Sequence, residues 1–258
     1  MKATLHIINR YFIWALLFFN NHGCSTLYKK EKKSFLREGY ESERLSSIKN
    51  HYNILLTQYL NHVKSRKINK RFLGYINSLV EKHSLEEPFI NVIIVDENSS
   101  SYFVSPDGRL IFTEKFAKNY FLNEQLLTAF LLENVIRLKK MIYTKKSYYP
   151  SGLVSMEDLS KLMILSRAQK DKLNYYCVEE LIKHGSSPMT YLNYIQQRNK
   201  DSSLVSNLIN GSVFGLEEER RLKTYLIEQH KKVFIEKVEL ETSTKSFYLF
   251  KMSINEVF

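Results

Sequence analysis

The sequence predicts an α+β domain, mostly helical, with a small antiparallel or mixed sheet. Three observations carry that prediction. Apolar residues recur at helical spacing over most of the chain, a single β-branched run occupies 89–95 (FINVIIV), and Pro106-Asp107-Gly108 separates two short apolar runs. At 258 residues and 44% hydrophobic content, the chain can bury one sizeable core, and a single compact domain is the expected partition.

Taken in order, Leu45, Ile48, Leu55, Leu56, Tyr59, Leu60 and Val63 predict a long amphipathic helix over 40–65, and a second helix follows over 68–83. Pro88 and Asp96 bound the β-branched run, which reads as a buried strand. Asn98 to Ser101 form a polar loop, and Tyr102-Phe103-Val104 and Leu110-Ile111-Phe112 become the arms of a hairpin around Pro106-Asp107-Gly108. Helices are expected over 114–120 and 123–142, then a loop around Pro150, a helical region over 155–184, and helices over 188–199 and 216–231. His184-Gly185 followed by Pro188 is a stop signal for the 155–184 region. Two apolar, β-rich runs around Glu241-Thr242-Ser243-Thr244 suggest a terminal hairpin in a C-terminal extension, 233–258.

Residues 1–23 read as an export signal. Lys2 and Arg10 are positive, and Tyr11 to Phe19 supply nine apolar residues, fewer than the roughly 20 needed to span a bilayer. Gly23-Cys24 then resembles the lipobox of bacterial lipoproteins, in which the cysteine takes a diacylglycerol and becomes the new amino terminus, although Asn21 and His22 stand where that motif prefers leucine and a small residue. An ordinary free thiol is the other reading of Cys24. Residues 24–39 form a basic tether, whose Lys29-Lys30-Glu31-Lys32-Lys33 cluster either rests on anionic headgroups, at roughly 1 kcal/mol per cation, or is simply solvated. Net charge is +11, reduced by two if Lys2 and Arg10 leave with the signal. The basic residues elsewhere are scattered over helical faces without interleaved aromatics, which disfavours nucleic-acid binding. Cys177 lies in an apolar helical stretch, as a buried inert thiol would.

The run Leu126 to Lys140 (LLTAFLLENVIRLKK) has the frame of an HExxH helix, with ENVIR at 133–137 where two histidines and a glutamate would stand. Upstream, Ser101-Tyr102-Phe103 precedes the Pro-Asp-Gly turn and the strand at 110–112. Downstream, Ser166, Arg167, Lys170, Asn174, Gly185 and Pro188 fall without a gap on an S-R-x-x-E-x-x-x-D pattern followed by G-x-x-P. In this order the three patterns resemble the HtpX and CAAX-prenyl-endopeptidase family of membrane-associated zinc metallopeptidases, over roughly residues 40–230. The resemblance implies a zincin-like, degenerate metallopeptidase domain over 40–232.

Position by position, the resemblance lays the family's two histidine ligands on Glu133 and Arg137, its catalytic glutamate on Asn134, its third ligand on Lys170 and its supporting aspartate on Asn174. All five are changed. Asn134 cannot take a proton from water, and Arg137 and Lys170 present cations where zinc would sit, so no catalytic residue, metal or cofactor is expected there. Glu133 and Arg137 are four apart with the acid first, the favourable order for a helical ion pair, and Lys170 would join them from the second helix. The alternative leaves these side chains in solvent at the bottom of an eroded cleft. His51 and His62 lie about 16 Å apart along one helix, too far to share an ion, and His83, His184 and His230 stand near helix ends in cap or surface roles.

The expected function is therefore a non-catalytic, lipid-anchored module of the bacterial envelope, exported and periplasmic, that binds or scaffolds a protein or peptide partner. The hairpin Tyr102, Phe103, Val104, Leu110, Ile111 and Phe112 is its natural contact surface, because an edge strand can add an extended peptide. Two other classes remain. One is an active zinc metalloendopeptidase with displaced ligands, the only reading that requires zinc. The other is a purely structural envelope lipoprotein.

Overall fold

The structure is a computed structural model that describes residues 43, 46–83, 88–143, 152–200, 212–230 and 243–255. The leader 1–23, the tether 24–39 and Cys24 lie outside the described residues. Contacts divide the chain into one unit over Met1–Asn50 and another over His51–Phe258. Residues 46–50 of the first are helical, and the second is described below.

After helix α1 (51–60) come β1 (Ser65–Lys67), α2 (Lys70–Val80), a 3-10 turn at Glu81–His83, β2 (Asn91–Val95), β3 (Tyr102–Val104) and β4 (Arg109–Thr113). Helices follow as α3 (Glu114–Tyr120), α4 (Glu124–Lys139), α5 (Met156–Lys161), α6 (Arg167–Lys183), α7 (Met189–Lys200), α8 (Ser212–Gln229) and α9 (Lys245–Asn255). The sheet is mixed, in the order β1-β2-β4-β3: β2 and β4 are parallel, and both outer pairs are antiparallel. The domain is thus α+β, as expected. Among the described residues no helix is long and apolar enough to cross a membrane.

Two expectations need correction. The terminal hairpin is not formed over its second run, since 245–255 is helix α9. Phe247, Phe250 and Ile254 bury one helical face, Thr244 accepts a bond from the Phe247 amide, and the Phe250 ring lies 5.9 Å from Phe72. Helical spacing of three core residues outweighs the β propensity of their neighbours. The first run, 233–240, lies outside the described residues. Within the helical region expected over 155–184, α5 and α6 are separate helices, because Ser166 opens α6 with a capping box to Gln169, just as Ser155 opens α5 with Asp158. The helix expected over 40–65 instead ends at Leu60, and Ser65-Arg66-Lys67 forms strand β1, exposed throughout and without an apolar signal.

The β3–β4 turn shows how local chemistry sets register. Ser105 pairs with Arg109, Pro106 and Asp107 make the turn, and Gly108 takes a left-handed φ of 86°, the pattern of a three-residue hairpin closed by a glycine bulge. A Cβ at Gly108 would lie 2.7 Å from the Pro88 carbonyl oxygen. Gly108→Ala is therefore expected to cost about 1–3 kcal/mol, seen as a lower urea midpoint with an unchanged m-value.

Helix α4 is the centre of the fold. Asn123 caps it by accepting from the Leu126 amide at 2.8 Å, and ten consecutive or near-consecutive residues from Leu127 to Arg137 are buried. A helix buried on every side has neighbours on every side: here α2, α6 and α7 pack around it.

Candidate functional site

Because α4 is enclosed, its polar residues must find partners inside the protein. Glu133 is fully buried, and it meets Arg198 of α7 at 3.4 Å and Lys170 of α6 at 3.9 Å. Both cations also reach Glu218 of α8: Arg198 donates to it at 2.5 Å, and Lys170 lies 3.9 Å away. Two acids and two bases from four helices form a charge-balanced quartet. Asn174, one turn beyond Lys170, donates to Glu218 at 2.8 Å and accepts from the Tyr191 hydroxyl at 2.8 Å.

Burial and pairing act against each other on Glu218, Lys170 and Arg198. Burial favours the neutral form of Glu218, yet Arg198, Lys170 and the Asn174 amide together hold its carboxyl below the ordinary carboxylate range. Burial and the neighbouring Arg198 lower the Lys170 ammonium, with Glu218 and Glu133 opposing them. For Arg198 burial is outweighed by the two glutamates, so its guanidinium is raised and stays charged. Tyr191 and Tyr194, which wall the quartet, are pushed up by burial and remain protonated.

The five positions singled out by sequence divide in two. Glu133, Lys170 and Asn174 come together around the quartet. Arg137 does not join them: it turns toward α5 and donates to the Met163 carbonyl at 3.1 Å, so the expected Glu133–Arg137 pair is not made. Arg198 and Lys170 supply the cations that Glu133 needs, which removes the drive for a pair within α4. Asn134 donates back to the Phe130 carbonyl one turn earlier, at 2.8 Å, and so is tied within its own helix. The alternative of solvated side chains is also corrected, because Glu133, Asn134, Arg137 and Asn174 are all buried and only Lys170 retains 13% exposure.

No family model matches the chain, and no curated protein matches it.

The hairpin is placed differently from its expected role. Tyr102, Phe103, Val104, Leu110, Ile111 and Phe112 are all in the core, each at most 2% exposed, so none of these side chains is available to a partner. The outer edge of β3 is partly covered as well, since α5 packs on it and Ser160 donates to the Tyr102 carbonyl. Cys177 is buried, and burial raises its thiol well above the usual range, which suits an inert core residue.

Arg198 and Glu218 are the members that sequence reading missed. A signal existed: Arg198 continues the buried stripe Tyr191, Tyr194, Ile195, and Glu218 lies on the stripe Gly215, Leu222, Leu226. Opposite charges on two apolar stripes indicate a buried pair between helices.

A second polar group lies at the far end of α6. Gly185, with φ of 69°, ends the helix in a Schellman turn, its amide bonding to Ile182 and that of Ser186 to Leu181. That turn sets His184 one turn beyond Glu180, with Nε2 at 3.1 Å from the carboxylate. From the 3-10 turn after α2, His83 points its Nδ1 at the same oxygen from 4.0 Å. Distance along the chain hid this, as 97 residues separate His83 from Glu180.

Proposed function

We propose that the chain is a non-catalytic, metallopeptidase-like binding or scaffolding module of the bacterial cell envelope, anchored by lipid on Cys24. One observation supports the reading: Lys170 and Arg198 hold Glu133 and Glu218 in a buried quartet, and Glu133 and Lys170 are two of the positions that the resemblance matches to metal ligands. A site that needs net negative or neutral ligands does not accept a divalent cation while Arg198 and Lys170 hold its acids. The zincin-like comparison draws support from geometry. The position matched to the family's third ligand, Lys170, lies 3.9 Å from that matched to its first, Glu133. The element order also fits, with an antiparallel edge strand, the central helix α4 and then α6. Three surface pockets, lined by groups such as Gln125–Thr190, Tyr75–Leu249 and Arg66–Met252, do not include any quartet member.

The full chain, incubated with excess Zn²⁺ and a panel of unstructured peptides, is expected to show no hydrolysis above buffer. Cleavage that a chelator abolishes would falsify the reading.

A further inference from the structure

His83 is a buried imidazole without the partners that burial demands. Its side chain is 0% exposed, and neither ring nitrogen makes a hydrogen bond among the described residues. Buried polar groups are almost always satisfied, so two orphaned nitrogens on one ring require an explanation. The surroundings offer one. His83, Glu180 and His184 each aim a donor atom at a common region, the three atoms all lying within 4.8 Å of one another. The two rings meet edge to face, with centroids 4.8 Å apart.

We propose that His83, Glu180 and His184 form a binding site for a borderline-soft divalent metal of the Zn²⁺ class, clipping the end of α2 to the end of α6. The donor set decides the class. Two imidazole nitrogens and one carboxylate oxygen suit zinc and its first-row neighbours, whereas Ca²⁺ and Mg²⁺ require oxygen-rich shells. Glu180 and His184 are four apart on one helical face, the spacing that lets two side chains grip one ion. Tetrahedral ligands about 2.0–2.1 Å from zinc are about 3.3 Å apart. The 3.1 Å between Glu180 and His184 already meets that, the 4.0 Å from Glu180 to His83 requires a closure of about 0.7 Å, and the third edge, between the two imidazoles and within 4.8 Å, requires one of up to about 1.5 Å.

The frame around the site is fixed independently. Lys82 donates to Ser186 at 2.8 Å, and Lys139 donates to the His83 carbonyl at 3.3 Å, so three chain segments are held together by bonds that do not use the ligand atoms. Burial, followed by Lys82 and His184, lowers the His83 imidazole to about 4 and keeps it in the neutral form that can ligate. Lys82, Lys139 and Lys183 also set a limit, since their charge opposes a dication and argues for binding weaker than that of a structural Cys-rich site. Three protein ligands leave a coordination position for water or for a donor from a partner.

The site is separate from the quartet, so zinc binding and peptide hydrolysis are read independently, and zinc here without hydrolysis leaves the proposed function intact. The experiment is a Zn²⁺ titration of the chelator-stripped full chain, followed by calorimetry and by thermal melting, with His184→Ala and His230→Ala in parallel. His184 is half-buried at a helix end, so its variant folds more readily than one at His83. The expected result is one equivalent of zinc that raises the melting temperature, weakened at least about 10-fold in His184→Ala and unchanged in His230→Ala. Zinc binding equal in His184→Ala and the wild type, or none in the wild type, overturns the proposal.

Discussion

Replacing Arg198 with alanine is expected to destabilise the domain by about 3–5 kcal/mol, the usual cost of removing one partner from a buried ion pair. At about 2–4 °C per kcal/mol for a domain of this size, the melting temperature should fall by about 6–20 °C. The reason is the geometry of what remains. Arg198 touches both acids, at 3.4 Å and 2.5 Å, whereas Lys170 stands 3.9 Å from each. Without the guanidinium, two carboxylates share one distant ammonium in a site that excludes water. The sign of the pH response follows. In the wild type Glu218 has a depressed folded pKa, so its contribution is present above the ordinary carboxylate pKa and is lost as pH falls through the folded value. In Arg198→Ala the unpaired acids favour their protonated forms, so the deficit relative to wild type should shrink as pH is lowered. Replacing all four members with apolar residues of similar volume should be neutral or stabilising, because the desolvation cost leaves together with the attraction. A thermal melt series from pH 7 to pH 4 checks all three outcomes. An Arg198→Ala protein that melts with the wild type at pH 7 would remove the quartet from any account of the fold.

Much of the architecture was legible because it rests on local rules. The bounds of α3, the glycine of the β3–β4 turn and the Gly185 stop each follow from side chains within a few residues. Legibility failed where partners come from afar. The sequence placed Glu133 beside Arg137 on the evidence of spacing, but the fold offers Glu133 a guanidinium from a helix 65 residues away. The six hairpin residues read as a surface because edge strands often are one. Only Tyr102, Phe103 and Val104 lie on the edge strand β3, which α5 partly covers, and Leu110, Ile111 and Phe112 lie on the inner strand β4; all six side chains are buried. His83 and Glu180 lie in segments whose meeting depends on α2 and α6 both packing against α4, and no local pattern encodes that.

Phe130→Ala is expected to cost about 3–5 kcal/mol, the range for deleting a buried aromatic ring. Phe130 is fully buried at the middle of α4 and meets four rings: Tyr102 of β3 at 4.8 Å, Phe116 of α3 at 5.2 Å, Phe121 at 5.4 Å and Tyr194 of α7 at 6.3 Å. It therefore joins the sheet, the α3 segment and α7, and its loss leaves a cavity that no single element can close. The consequence extends to the quartet. Tyr194 lies under the Arg198 guanidinium, 5.7 Å from ring centre to Cζ, and that ring packs on Phe130. Once Phe130 is gone, Tyr194 gains room to tilt and Arg198 loses part of the wall that holds it against Glu133. The two substitutions should therefore be non-additive. A double-mutant cycle of Phe130→Ala and Arg198→Ala is expected to show a coupling of at least about 0.5 kcal/mol, with the double variant less destabilised than the sum of the single ones. Phe130→Leu keeps most of the volume but loses the ring contacts, so it should fall between wild type and alanine. Additivity within error in the cycle would mean that the aromatic core and the charge quartet are independent, and that Tyr194 holds its position without Phe130.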